Sequence, residues 1–80
     1  MINDKNSDDY CYYIARKNIK KYRLKAGMTT DELADKSEFT GQFIRSLEAL
    51  KVLKRPRLDS LYRIAKALNI ELKQLFEDCD

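Results

Sequence analysis

The side chains able to do chemistry in this 80-residue chain are its charged ones, 16 Lys and Arg and 13 Asp and Glu, with no His. Without imidazole there is no histidine base to activate a nucleophile, and two cysteines alone cannot complete a structural zinc tetrahedron. Cys11 and Cys79 sit near opposite ends with no CxxC spacing, so two reduced thiols are expected and no metal site. The adjacent carboxylates Asp31 and Glu32 fall in the first turn of a predicted helix, where they complement its dipole, and no nucleophile–base set accompanies them. An enzyme is therefore not expected, and no cofactor or small-molecule ligand is indicated. The cations are a different matter. Residues 10–70 carry 14 basic side chains against 6 acidic ones, while Asp4, Asp8 and Asp9 lie before them and Glu71, Glu77, Asp78 and Asp80 after. A positive field concentrated on about sixty residues between acidic ends suits a polyanion partner, although a solvated lysine-rich face has the same composition.

The elements that must position these cations are helical. With 44% apolar residues but only two Gly and one Pro, the chain has too few turn residues for many short strands, and its length makes one small domain. The longest unbroken apolar run, Tyr10 to Ala15, is too short for a membrane span or a signal-peptide core, so a soluble cytoplasmic protein is expected. Residues 1–9 lack periodicity and are expected to fray, leaving a domain over residues 10–78. Tyr12, Ala15, Ile19, Tyr22 and Ala26 recur at helical spacing, and Gly27 supplies a left-handed stop. Thr29, with Glu32 three residues on, forms a capping box that opens a second helix running to about Lys36. Thr40 caps a third, whose Phe43, Ile44, Leu47 and Leu50 share a face. A basic connector, Lys51 to Arg57, leads to a fourth helix on Leu58, Leu61, Ile64, Ala65 and Leu68, with Asn69 as its end cap. A short fifth helix is predicted from Leu72 to about Phe76. The fold class is all-α, a compact bundle of five short helices.

Only Ser37, Glu38 and Phe39 separate the second and third helices, too few to fold them antiparallel, which favours the crossed pair of a helix-turn-helix. Small Ala34 suits the point where two helices cross most closely. Leu33, Phe39, Ile44 and Leu47 point inward, so the opposite face of helix three presents Gly41, Gln42, Arg45 and Ser46. In order and spacing, Ile19-Lys-Lys-Tyr-Arg23, Gly27-Met28-Thr29, Asp31-Glu32-Leu33-Ala34, Phe39-Thr40, Ile44, Leu47-Glu48 and Leu61-Tyr-Arg-Ile64-Ala65-Lys-Ala67-Leu68 resemble the lambda-repressor-like (xenobiotic-response-element type) DNA-binding family. The resemblance covers roughly Ile19 to Phe76.

The resemblance implies a bundle whose third helix enters the major groove of double-stranded DNA. Gly41, Gln42, Arg45 and Ser46 would then lie at base edges, where Gln pairs with adenine and Arg with guanine or a phosphate. It places Lys51, Lys54 and Arg55 where related repressors grip phosphates, with Lys20 in the basic run of helix one as a further candidate. Thr30 and Thr40 would offer hydroxyls beside helix N-termini, a geometry that favours anions. An acid at Glu48, late in helix three, opposes the helix dipole and calls for a cation; the resemblance points to Arg23. Because one recognition helix reads too few bases, a homodimer on a palindromic operator is expected. Ile70, Leu72, Leu75 and Phe76 are its candidate seam, or else they close the monomer core.

Departures from the family pattern narrow what the site can read. Glu38 stands where Gly is usual, Thr30 replaces a common Gln, and Gly41 brings no side chain to the groove. Ala49-Leu50 in place of a Gly-containing turn predicts a third helix one turn longer. The functional expectation is a repressor-like transcriptional regulator. The alternatives are the controller protein of a restriction–modification locus, or a protein-interaction or antitoxin module that no longer reads bases.

Overall fold

Four stretches of the chain wind into α-helices, and a fifth closes up as a single 3-10 turn. In the computed structural model, which describes residues 7–78, the order is α1 (Tyr10–Lys25), α2 (Thr30–Ser37), α3 (Gly41–Glu48), α4 (Leu58–Ala67) and the 3-10 turn Leu72–Phe76. Cys79 and residues 1–6 of the segment expected to fray lie outside the described residues. Residues 7–9 form a turn in which the Tyr10 amide donates to the Ser7 carbonyl.

The helix boundaries come from local bonds. Thr29 Oγ1 accepts from the Glu32 amide at 3.1 Å while Glu32 Oε1 accepts from the Thr29 amide at 2.8 Å, a reciprocal cap worth about 1 kcal/mol. Thr40 Oγ1 accepts from the Phe43 amide at 3.1 Å and starts α3. Three of the four α-helices then end in the same way, through one left-handed residue. At Gly27 (φ 70°) the Met28 amide returns to the Arg23 carbonyl and the Gly27 amide to that of Leu24. Glu38 (φ 63°) and Asn69 (φ 59°) repeat the pattern, with Phe39 reaching Ala34 and Ile70 reaching Ala65. This double closure satisfies carbonyls that the helix itself cannot.

The core gathers Ala15 and Ile19 of α1, Leu33 and Ala34 of α2, Ile44 and Leu47 of α3, and Leu61, Ile64, Ala65 and Leu68 from α4 and its cap. Ala34 is buried, and the turn of Glu38, Phe39 and Thr40 is short enough to hold α3 across α2. Phe39 stacks obliquely on Phe43 with ring centroids 4.6 Å apart, covering the turn. Leu75 is fully buried, and Ile70 and Leu72 pack partly against the same core.

Three expectations need correction. The element Leu72–Phe76 is a 3-10 turn, so the described bundle has four α-helices and not five. Three residues per turn eclipse positions i and i+3, which brings Leu72 and Leu75 onto one side of a five-residue segment. Asn18 of α1 fixes that segment: its Nδ2 donates to the carbonyls of Leu75 and Glu77, each at 2.7 Å. The third helix does not run longer but stops at Glu48, with Ala49 turned to ψ 86° and Leu50 outside the helix. The apolar stripe of α1 ends before Ala26, which is exposed.

A left-handed Glu38 is a local cost of about 1 kcal/mol that the surrounding bonds sustain. Arg63 of α4 donates to the carbonyls of Ser37 and Glu38 at 2.9 Å and lays its guanidinium over the Phe39 ring at 4.1 Å. The bonds to backbone and ring survive loss of the Glu38 side chain, which gives up only its solvent-exposed pairing with Arg63 at 3.8 Å. Glu38→Gly is therefore expected to stabilise the fold by up to about 1 kcal/mol, which for a domain of this size raises Tm by about 4–8 °C. Thermal unfolding followed by circular dichroism checks this, and an unchanged or lowered Tm contradicts it.

Candidate nucleic-acid interface

The eight residues of α3 are too few to hold a helix in water, so its position depends on what grips it. One face carries Ile44 and Leu47 into the core. The C-terminal end is gripped by two buried arginines of α1, seven residues apart and therefore two turns apart on one side of that helix. Arg16 Nε donates to the Leu47 carbonyl at 2.8 Å, and its Nη2 to the Ala49 carbonyl at 2.9 Å. The guanidinium thus occupies the carbonyls at which α3 stops, at the negative end of the helix dipole. Burial lowers the Arg16 pKa from its ordinary value, and the residue is 1% exposed.

Arg23 holds the same end through Glu48. Its Nε meets Oε2 at 2.7 Å and its Nη2 meets Oε1 at 2.9 Å, while Nη1 donates to the Met28 carbonyl at 2.7 Å. The Arg23 and Glu48 side chains are 10% and 9% exposed. The hydrogen bond from Glu48 raises the Arg23 pKa above its ordinary value and outweighs the desolvation that opposes it. A parallel two-bond grip of this kind fixes direction as well as distance, and Lys has no fork with which to reproduce it.

The face of α3 turned away from these anchors carries the residues expected at base edges. Gln42 and Arg45 are exposed, and Gly41 and Ser46 are half-buried. Ser46 Oγ donates to the Phe43 carbonyl at 2.7 Å, so its hydroxyl proton is already committed. Arg45 Nη1 donates to Thr30 Oγ1 at 3.2 Å and to Asp31 Oδ1 at 3.1 Å, which ties the first turn of α2 to the outer face of α3. Thr30 is half-buried, and Thr40, Lys20 and Lys51 are exposed. Lys54 is half-buried beside Phe43, Leu47 and Pro56. Arg55 pairs with Asp9, which raises the arginine's pKa. At the other end of the chain, Phe76 remains 38% exposed while Leu75 is enclosed within the core.

Two arginines that hold the framework of α3 carry no signal in the sequence. Arg16 lies among the many cations of α1, and no spacing rule distinguishes it from Lys17 beside it. Arg63 lies in the fourth helix, and its contact with the turn before α3 depends on how α4 packs. Among the described residues no group of three or more metal-ligating side chains comes together, and no helix is long and apolar enough to cross a membrane.

Two short crossed helices, a three-residue turn between them, and a second helix clamped from behind with its outer face in solvent define a helix-turn-helix domain. Residues 16–80 match the Cro/C1-type HTH DNA-binding domain, and the chain belongs to that family. Its fold is similar to the crystal structure of a hypothetical transcription factor, NHTF, from Neisseria, with a TM-score of 0.78 at 18% identity over 96% of this chain and 83% of that one. No curated protein matches the chain.

The near-complete burial of the Arg23–Glu48 pair predicts a strong effect from breaking it. Either Arg23→Met or Glu48→Leu alone is expected to cost about 3 kcal/mol by stranding the other charge. The double variant should recover about 2 kcal/mol of the summed loss in a double-mutant cycle read by urea unfolding. Additive losses contradict the pairing as a stabilising unit.

Proposed function

We propose that this chain is a sequence-specific transcriptional regulator, repressor-like, that reads a palindromic operator through the major groove as a homodimer. The observation that carries the reading is the solvent-facing side of α3, with Gln42 and Arg45 exposed on a helix whose inner face packs on the core and whose end is fixed to α1. Gln42 then reads adenine and Arg45 guanine. Ser46, its proton committed to Phe43, serves as an acceptor for a base amino group. Gly41 admits close approach of the backbone. Thr30, Thr40, Lys20, Lys51, Lys54 and Arg55 take phosphates, Arg55 by exchanging Asp9 for a phosphate oxygen.

In the dimer, Phe76 with the half-buried Ile70 and Leu72 forms the seam, while Leu75 serves the monomer core. A second reading, as a protein-interaction module, is favoured by exposed Leu24, Val52 and Leu53. The salt dependence of duplex binding separates the two, since only phosphate neutralisation releases counterions.

Operators selected from a random duplex pool and titrated by fluorescence anisotropy test this. Arg45→Ala is expected to change base preference by about 1–3 kcal/mol at one position per half-site. Lys54→Ala should weaken all sequences alike and reduce the salt slope by about one unit. A flat salt slope with no selected consensus overturns the DNA-reading function. Analytical ultracentrifugation should show a dimer at micromolar concentration or on operator DNA, weakened by Phe76→Glu; a monomer under both conditions removes the dimer.

A further inference from the structure

Arg45 does not stand alone on α3. Its Nη1 donates to groups in the first turn of α2, to Thr30 Oγ1 at 3.2 Å and to Asp31 Oδ1 at 3.1 Å. Gly41 is what leaves room for this arrangement. A Cβ at that position would collide with Asp31 Oδ1 and crowd Arg45 Nη1 at 3.0 Å. Any other residue at position 41 therefore pushes the carboxylate away from the guanidinium.

We propose that Asp31, in the space left by Gly41, is a specificity-determining positioning residue that holds Arg45 in the orientation that reads guanine. The proposal rests on the base-reading role of Arg45 given above. A guanidinium has five N–H donors. With Nη1 engaged, Nε–H and one Nη2–H remain as a two-donor edge. Guanine presents two adjacent acceptors, N7 and O6, in the major groove, whereas adenine places an amino donor beside its N7. A held fork thus accepts guanine and meets a donor–donor clash on adenine; an unheld one swings to the nearest phosphate.

Asp31 and Arg45 are 77% and 56% exposed, so in the free protein the pair adds little to stability. Its role is orientation, and exclusion of water by DNA strengthens it. Asp31 also sets a negative charge close to the phosphates. It therefore costs affinity for any duplex while sharpening the choice among duplexes, and this opposition of signs marks a positioning residue.

The test compares Asp31→Asn, Gly41→Ala and Arg45→Ala with the unmodified chain, measuring Kd for the selected operator, for its guanine-to-adenine variant and for random duplex at one salt concentration. The unmodified chain should prefer guanine by about 5- to 150-fold. Asp31→Asn is expected to bind random duplex about 2- to 5-fold more tightly and to lose most of that preference. Gly41→Ala should lose the preference too without a fall in Tm, because Ala is the better helix former. Guanine preference retained in Asp31→Asn, but lost in Arg45→Ala, overturns the positioning role and leaves base reading intact. Preference unchanged in Arg45→Ala overturns base reading by Arg45, and the positioning role falls with it.

Discussion

The orientation of α3 depends on a buried polar clamp at its end. Arg16 and Arg23 of α1 reach across to the end of α3, one onto backbone carbonyls and one onto the Glu48 carboxylate. Burying two guanidinium groups in so small a domain is costly unless every donor has a partner and good geometry. Among the described residues every fully buried side-chain nitrogen and oxygen has a hydrogen-bond partner. Apolar packing by Ile44 and Leu47 keeps α3 on the core, but dispersion is nearly indifferent to small slides and rotations. Directional bonds at the helix end are not. They set where the outer face of α3 points, and that face carries Gln42 and Arg45.

The other side of α3 is held by its turn. Glu38 accepts a left-handed conformation in which few non-glycine residues rest, and Arg63 of α4 secures the two carbonyls exposed there. The turn is thereby fixed from a helix that contributes nothing to the outer face. In the same way the 3-10 turn is fixed by Asn18, a buried amide of α1. The element between core and solvent is thus set at each of its ends by polar groups that reach in from elsewhere, and the exposed surface is free to vary without loss of the frame.

Much of the architecture was legible in the chain because its signals are local. Thr29 with Glu32, and Thr40, bond to amides three residues away, so the starts of α2 and α3 follow from composition and spacing alone. Gly27 and Asn69 mark helix ends because they tolerate positive φ, and Glu38 could be recognised as costly there on the same ground. The charge of residues 10–70 and the outer face of α3 followed from counting and helical periodicity.

What the tertiary structure alone decided are pairings between distant residues. Lys17 and Arg16 are neighbours of like charge, yet Arg16 is buried because carbonyls 31 and 33 residues away end α3 beside it. The predicted fifth helix tightens into a 3-10 turn because Asn18 and the core together constrain five residues that lack the length for an α-helix. Leu75 is enclosed in the core while its neighbour Phe76 stays exposed, a division that depends on how the turn docks. Arg45 finds Thr30 and Asp31 only because α2 and α3 cross with no Cβ at Gly41 to part them. Helix starts and stops are bonds within a few residues and can be read from order. The partner of a long side chain depends on where another helix lies, and that is settled only when the core is packed.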